Sequence, residues 1–315
     1  MSGYILKRLL QAVPVVIITT IVVFLLLRLI PGDPAQVIAG SDATPQQVAA
    51  IRHDLGLNRS LPEQYLLWAE RLLRGDLGHS YVSRRSVGSL IKLAFPATLQ
   101  LTLCAFLIAL LVGIPFGVAA GLRPNSPWDF ALSAFTAVMQ GIPNFLFAII
   151  YLLVFALYLG WLPPGGRSDP FAHPLDGVRT LALPVLTLAL PAASVYARFV
   201  KTALTETLAQ DYVRTARAKG LGGSHVVLRH ALRNALLPLV TIAGIQFGRL
   251  LGGTVIVEQI FAWPGMGRLA LDAIGRRDYL LFQGIVLLLV LGAVLVNLLT
   301  DLSYGVLDPR IRTAR

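Results

Sequence analysis

Residues 97–121 read ATLQLTLCAFLIALLVGIPFGVAAG and contain no charged side chain. A helix needs about 20 mostly apolar residues to cross the hydrocarbon core of a bilayer, so this stretch predicts a transmembrane helix. The composition of the whole chain agrees, with 56% hydrophobic and only 14% charged residues and a mean hydropathy of +0.71. Soluble domains carry roughly a quarter charged residues. The sequence therefore predicts an all-α polytopic membrane protein and excludes an ordinary soluble enzyme.

Five further apolar stretches predict spans on either side of this one. They are Leu9–Leu27, Ile142–Leu159 after a helical lead-in from Phe130, Thr180–Ala197, Ala235–Val257 and Tyr279–Thr300. The first is also compatible with a signal peptide, but its apolar core is long and no small-residue cleavage site follows it. We predict that Pro143 kinks or breaks the third span, because an interior proline removes a backbone donor and clashes one turn back.

The fourth predicted span is short and carries Pro184 and Pro191. Interrupted helices are tolerated at membrane depth where they are buried in protein or line a cavity. Pro184 and Pro191 are therefore candidates for the pathway wall or a subunit interface. Arg249, near the middle of the fifth span, is a third candidate, because a charge at that depth normally faces a cavity or a partner.

The charge distribution predicts the topology. A net charge of +11 would suggest nucleic acid in a soluble protein, but in a membrane protein it more often marks cytoplasmic loops, and we expect no nucleic-acid partner. Basic residues cluster at both chain ends and in the loop 201–237. By the positive-inside rule this predicts six transmembrane helices with both termini cytoplasmic, lying in a lipid bilayer.

The segment 31–95, which the topology places outside the membrane, contains residues that typically start and end helices and does not have the composition of a linker. Thr44, Pro45 and Gln47 form an N-cap, first-turn proline and capping-box pattern, and Gly56 can end that helix. A second helix is predicted from Pro62 to Arg74. The segment is predicted to be a small helical extracytoplasmic insertion, either a structural cap or a docking surface.

The predicted organisation is residues 1–30 as N-terminus and first span, 31–95 as insertion, 96–303 as core and 304–315 as cytoplasmic tail.

The cytoplasmic loop contains a short basic segment rich in small residues. Small side chains would let another protein approach the backbone closely, and the glycines would end the helix sharply. The same pattern is also typical of a basic loop that touches lipid headgroups. The candidate coupling residues are Asp211, Tyr212, Arg214, Thr215, Ala216, Arg217, Ala218, Lys219, Gly220 and Leu221.

No pattern in the sequence predicts catalysis or metal binding. The five histidines are scattered without metal-ligand spacing, and no nucleophile–base–orienter set can be placed together. The chain also lacks a Gly-rich phosphate loop ending in Gly-Lys-Ser or Gly-Lys-Thr, so it is not expected to bind ATP itself. We predict a non-enzymatic subunit with no metal and no cofactor of its own.

Several motifs together resemble one known family. Residues 211–223 with 229–238 resemble the cytoplasmic "EAA" loop of binding-protein-dependent ABC importer permeases, with Arg214-Thr215-Ala216 in place of the Glu-Ala-Ala triplet. Further matching stretches are 28–34, 75–80, 96–99, 261–268 and 301–310. The chain is similar to the first-subunit (B-type) form of the dipeptide/oligopeptide/nickel subfamily, over essentially its whole length.

The resemblance implies a type I ABC importer permease fold in a bacterial inner membrane. It implies a second homologous permease subunit, two cytoplasmic ATPase subunits that carry ATP and Mg²⁺, and an extracytoplasmic substrate-binding protein. The expected function is import of dipeptides or oligopeptides, with glutathione or nickel and other metal chelates as alternatives. An autonomous secondary transporter is a rival class, but internal repeats and membrane-buried carboxylates are not evident.

Overall fold

The structure is a computed structural model that describes residues 2–29, 33–40, 43–169, 172–220, 222–236 and 238–307. Within these ranges the regular secondary structure is helical, apart from one isolated antiparallel bridge between His79 and Ser86. The chain forms two compact units. One comprises Leu99–Trp263 with both chain ends, and the other comprises Gly3–Thr98 with Pro264–Val294.

The helices follow one another with short connections. Their bounds are α1 Ser2–Leu29, α2 Pro34–Ala39, α3 Pro45–Asp54, α4 Leu61–Leu73, α5 Val87–Leu122, α6 Pro127–Gly141, α7 Asn144–Tyr151 with a π-helical continuation Leu152–Tyr158, α8 Pro174–Leu208, α9 Asp211–Ala218, α10 Gly223–His225 with a π-helical continuation Val226–Ala231, α11 Leu232–Ala235, α12 Leu239–Ile260, α13 Met266–Gly275 and α14 Tyr279–Leu307. The predicted all-α fold is confirmed.

Among the described residues, the helices α5, α8, α12 and α14 are each long and apolar enough to cross a membrane. The pair formed by Pro127–Gly141 and Asn144–Tyr158 gives a fifth candidate span if it counts as one. The apolar helical stretch Leu10–Leu25 of α1 is shorter. The total of six spans and the cytoplasmic position of both ends stay predictions.

The prediction of a short, interrupted fourth span is wrong. Helix α8 continues through Pro184 and Pro191 for 35 residues. An interior proline costs a helix about 3 kcal/mol, but more than half of the apolar part of α8 is buried inside its unit. Packing against α6, α7 and α12 therefore outweighs the local cost.

The predicted break of the third span at Pro143 is confirmed. Ile142 is extended, with φ −110° and ψ 130°, and Pro143 has φ −59° and ψ 141°. The residue before a proline is pushed towards extended conformations, which explains why α6 ends at Gly141. The two halves of the segment make an angle of 99°.

Glycines spaced four residues apart bring α5 close to α8. A Cβ placed on Gly113 would lie 2.6 Å from the carbonyl oxygen of Ala193, and one on Gly117 would lie 2.9 Å from Cβ of Val200. Both glycines are buried. Small residues at this spacing let membrane helices approach to backbone contact. The spacing is visible in the sequence, but the partner helix is not.

In the second unit, helices α2 to α4 precede a core that α13 shares with parts of α5 and α14. The predicted caps of α3 are confirmed: Thr44 Oγ1 accepts a hydrogen bond from the backbone N–H of Gln47, and Gly56 has φ +67°. Helix α4 runs from Leu61 to Leu73, one residue ahead of its predicted start and end. Helix α5 already begins at Val87, within the segment assigned to the insertion.

A buried carboxylate anchors the loop before α5. Asp278, directly before α14, is only 1% exposed. It accepts hydrogen bonds from the Ser80 hydroxyl and, at 3.2 Å, from the backbone N–H of Tyr81. In the same unit, the Thr98 hydroxyl accepts a hydrogen bond of 2.7 Å from the backbone N–H of Met266 at the start of α13. These two contacts connect segments that lie far apart in the chain.

Candidate translocation site and coupling helix

A cavity of about 470 Å³ lies at the break between α6 and α7. Its walls come from three places: the residues around the break, the middle of α8 and the middle of α12. The lining includes Gln140, Pro143, Asn144, Pro191, Gln246 and Arg249. Breaks of this kind at membrane depth are tolerated where the non-helical backbone lines a cavity, and substrate sites in transporters are often built around such broken helices.

The break also supplies part of the site's electrostatics. Pro143 and Asn144 line the cavity, and Asn144 is the first residue of α7. The first N–H groups of a helix have no intrahelical partner, and the N-terminus carries a partial positive charge that favours anions. The start of α7 therefore makes this part of the cavity favourable for a carboxylate.

Arg249, on the wall formed by α12, adds a full positive charge to the cavity. Its side chain is exposed, and its Nη1 donates a hydrogen bond of 3.2 Å to Oε1 of Gln246. Among the described residues, no carboxylate forms an ion pair with it. Gln246 itself is only 7% exposed, so it can hold the guanidinium in one orientation. A planar guanidinium held in this way is suited to bidentate binding of a carboxylate.

The rest of the lining combines apolar surface with one further amide. Gln140 donates from Nε2 to the Ser194 hydroxyl at 3.4 Å, and that hydroxyl donates to the Pro191 carbonyl at 2.7 Å. Leu188, Pro191, Ala192, Val195 and Leu250 supply the apolar lining. A mostly apolar cavity with a few converging polar groups is typical of a small-molecule site.

The structure separates the three residues selected as pathway or interface candidates. Arg249 and Pro191 line the cavity, whereas Pro184 is buried in the packed face of α8 and does not line it. Sequence reasoning missed Gln140, Asn144 and Gln246. Each of them is an amide side chain inside an apolar stretch of the sequence. Their shared position becomes apparent only in the fold, where the break at Pro143 and the packing of α12 bring them together.

Glu258 lies near the C-terminal end of α12, a position where a carboxylate is usually solvated. It is fully buried, at 0% exposure. Among the described residues, no group of three or more His, Cys, Asp or Glu side chains could hold a metal ion.

The predicted coupling segment contains a short helix, α9, from Asp211 to Ala218. Its inner face is fixed by Val213 and Ala216, which pack with Val226 in a small core. Tyr212 is 43% exposed, and Ala218, Lys219 and Gly220 are exposed as well. Gly220 has φ +77°, a conformation that glycine adopts at low cost and that ends the helix sharply.

Two polar contacts of α9 are made within the helix itself. Arg214 and Asp211 form an exposed ion pair of 3.6 Å, and the Thr215 hydroxyl donates to the Asp211 carbonyl at 2.9 Å. An exposed pair of this kind contributes little to stability. The exposed guanidinium of Arg214 therefore remains available to an external partner. The side chain of Arg217 and the whole of Leu221 lie outside the described residues, as do Leu237 and the tail from residue 308.

Comparison with solved structures identifies the fold class. The inward-facing MetNI methionine ABC transporter superposes with a TM-score of 0.56 at 22% identity, covering 70% of this chain and 96% of that chain. An amino acid ABC transporter crystallised with histidines gives a TM-score of 0.53 at 18% identity, covering 69% and 94%. The fold is that of a type I ABC importer permease.

Comparison of sequences identifies the family. Residues 113–313 match the family described as "Binding-protein-dependent transport system inner membrane component", and residues 1–102 match the corresponding N-terminal family. The chain belongs to this family and is a multi-pass inner membrane protein. Proteins of this kind work with ATPase and binding-protein partners.

Relatives match the chain over nearly its full length. The glutathione transport system permease protein GsiC of Salmonella typhimurium (strain LT2) is 43% identical over 314 residues, covering 99% of both chains. GsiC of Pectobacterium atrosepticum is 42% identical and GsiC of Escherichia coli (strain K12) 41% identical, with the same coverage.

Proposed function

We propose that this permease imports glutathione, delivered by an extracytoplasmic binding protein, and that it forms half of the translocation pathway with a second permease subunit. The observation that carries the proposal is the cationic cavity at the break of α6 and α7, taken together with relatives of 41–43% identity that are named for glutathione transport. Glutathione carries two carboxylates and one amine, so it is anionic at neutral pH. Arg249 and the N-terminus of α7 suit one of these carboxylates.

Dipeptides and oligopeptides, our first expectation from sequence, share the terminal carboxylate with glutathione. The cavity's charge supports both substrate classes, and the names of the relatives favour glutathione. Glutathione differs from an ordinary peptide in its γ-linked glutamate, which carries an amino-acid group at one end. The deciding measurement is therefore competition between glutathione and unmodified tripeptides for uptake.

Arg249→Gln tests the role of the cavity. The assay is ATP-driven uptake of labelled glutathione into vesicles that contain the complete transporter and its binding protein. Losing a hydrogen bond to a charged group costs roughly 1.5–3 kcal/mol, so we expect uptake to fall by roughly ten- to a hundredfold. The reason is that an amide replaces the charge that faces the carboxylate.

Two controls make the result specific. Arg123→Gln removes an exposed cation outside the cavity and should leave uptake unchanged. A glutathione analogue with both carboxylates esterified should lose much less transport in Arg249→Gln than glutathione does. Unchanged uptake of glutathione in Arg249→Gln would exclude Arg249 from the pathway.

We also propose that ATPase subunits dock on α9 and the residues after it, so that ATP and Mg²⁺ are bound by the partners and not by this chain. The exposed, small and basic surface at Ala218, Lys219 and Gly220 supports this role. Lys219→Glu reverses one charge without straining the backbone, since only Gly220 requires a positive φ here. We expect it to abolish ATP-driven uptake while the protein stays in the membrane.

The measurement is the binding of the ATPase subunits to membranes that contain the permease pair. Arg123→Glu is the matched control for a reversed charge on an exposed basic residue. If Lys219→Glu binds the ATPase subunits and transports normally, docking at this surface is wrong. Uptake by the chain alone, without ATPase subunits, would instead support the secondary-transporter class.

A further inference from the structure

The outer helix α4 packs on the last turns of α1. The ring of Tyr65 meets that of Phe24 edge to face at 5.4 Å between centroids, and Trp68 lies 6.3 Å from the same ring. The hydroxyl groups of Tyr65 and Thr20 are 3.0 Å apart. Helix α4 is therefore fixed to a definite level of α1.

That level is the boundary of the membrane. Arg28 follows the charge-free stretch Leu9–Leu27, which places it where the hydrocarbon core ends. Thr20 comes eight residues earlier, about 12 Å deeper along a helix that rises about 1.5 Å per residue. Because Tyr65 reaches Thr20, α4 lies at the membrane surface and not in the water beyond it.

The side of α4 that faces away from α1 presents a strip of exposed leucines flanked by the charged residues Glu63 and Glu70. Leu66 is 64% exposed and Leu73 is 90% exposed, and their spacing of seven residues places them on one face. Trp68, on the face towards α1, is 8% exposed. Exposed leucines on a helix at the surface of a bilayer are typical of interfacial amphipathic helices, whose apolar side enters the acyl-chain boundary.

A pocket of about 250 Å³ opens beside α4 at the same level. Six of its lining residues carry the argument: Arg28, Gln64, Trp68, Arg71, Tyr81 and Gln283. Gln283 is only 2% exposed, and its Nε2 has no hydrogen-bond partner among the described residues. Buried donors are nearly always satisfied, so this amide needs an acceptor from outside the described residues.

Three further residues of the pocket, Arg28, Arg71 and Tyr81, also supply donors. Arg28 donates only to neutral acceptors, Oε1 of Gln64 at 2.6 Å and the Phe24 carbonyl at 3.0 Å. Neither Arg28 nor Arg71 forms an ion pair with a carboxylate in the described part of the chain. Burial raises the pKa of Tyr81 to about 12, so its hydroxyl remains a neutral donor at physiological pH.

Two carboxylates also line this pocket. Asp76 accepts a hydrogen bond of 2.8 Å from the Gly78 backbone N–H, and Asp54 lies 3.9 Å from the ring nitrogen of the neighbouring His53. These acids have local partners on their own segment. Arg28, Arg71 and the Gln283 amide together therefore require an anionic acceptor with several oxygen atoms.

We propose that α4 is an interfacial membrane helix and that the pocket beside it binds the phosphodiester headgroup of an outer-leaflet phospholipid. Arg28 and the Gln283 amide donate to the phosphate oxygens, and Leu66 and Leu73 lie among the acyl chains. Two signals, an apolar face and a cationic headgroup site, hold a helix at a membrane more firmly than either alone. This proposal does not depend on the transported substrate.

The first experiment measures the depth of α4. Cys104 is the only cysteine, so a Cys104→Ser background permits single spin labels at Leu66→Cys and at Asn58→Cys, a matched exposed position in the turn before α4. The complete transporter is placed in nanodiscs of phosphatidylethanolamine and phosphatidylglycerol. We expect the label at position 66 to be accessible to oxygen and protected from a water-soluble nickel complex, and the label at position 58 to show the reverse.

Equal exposure of both labels to the nickel complex would overturn the proposal. So would protection at position 66 that arises only when the binding protein is added, because the apolar face would then be a protein-docking surface. Both labels sit on exposed side chains, so neither variant is expected to disturb folding.

The second experiment measures the headgroup site by native mass spectrometry of the purified transporter with phosphatidylglycerol. We expect Arg28→Gln and Gln283→Leu each to retain about tenfold less bound lipid, since each removes a donor to phosphate. Arg85→Gln, an exposed arginine that does not line the pocket, should retain lipid normally. Equal retention in all variants would overturn the site. Inorganic phosphate that binds in lipid-free detergent with the same dependence on Arg28 would overturn the lipid as its source.

Discussion

Gly113→Ala tests whether the two long helices α5 and α8 are held at backbone contact. The new Cβ would lie 2.6 Å from the Ala193 carbonyl oxygen and 2.9 Å from Cβ of Tyr196. Ordinary contact begins at 3.4 Å, so the helices must separate by roughly 0.8 Å. A backbone carbonyl cannot rotate away as a side chain can. We therefore expect a loss of about 2–3 kcal/mol, the upper part of the range for overpacked sites.

The assay is resistance to unfolding in mixed micelles titrated with sodium dodecyl sulfate. Gly121→Ala should cost less, since its Cβ would lie 3.2 Å from the Lys201 carbonyl oxygen. Gly292→Ala is the neutral control, because nothing lies within 4 Å of its Cβ position. The expected order of stability is Gly292→Ala, then Gly121→Ala, then Gly113→Ala. If Gly113→Ala unfolds at the same midpoint as Gly292→Ala, close packing at this point is refuted.

Two further variants test contacts between distant segments of the second unit. Asp278→Ala leaves the Ser80 hydroxyl and the Tyr81 N–H without their acceptor, so we expect a loss of about 1–3 kcal/mol and faster proteolysis of the loop 79–86. Unchanged proteolysis in this variant would show that the carboxylate does not hold the loop. Thr98→Val removes the acceptor of the Met266 N–H at nearly constant volume, and we expect faster hydrogen exchange at the start of α13 by about tenfold or more. Identical exchange rates in the variant and the native protein would contradict this.

The sequence was informative wherever a local rule determines the structure. The charge-free stretch 97–121 predicts most of α5, and the capping residues Thr44 and Gln47 predict the start of α3. The effect of Pro143 was also predictable, because the residue before it is restricted whatever its surroundings. These features depend on neighbours in the chain.

Features that depend on packing were not predictable. Pro184 and Pro191 suggested an interruption, yet α8 remains continuous because its neighbours bury it. Of the residues that line the cavity, the sequence indicated only Arg249 and Pro191. Gln140 and Gln246 are distant in the chain and come together only in the fold. A single sequence gives the depth of a residue in a span but not the direction in which it points.

The length of α8 has a mechanical consequence. Its 35 residues extend about 52 Å, while the hydrocarbon core is about 30 Å thick, so about 20 Å of the helix projects beyond the acyl chains. Helix α9 begins three residues after α8 ends, and Pro191 of α8 lines the cavity. Helix α8 therefore connects α9, where we propose that the ATPase subunits dock, to the wall of the cavity. A displacement of α9 would be passed through the two-residue link Ala209–Gln210 to α8 and along it to the cavity wall.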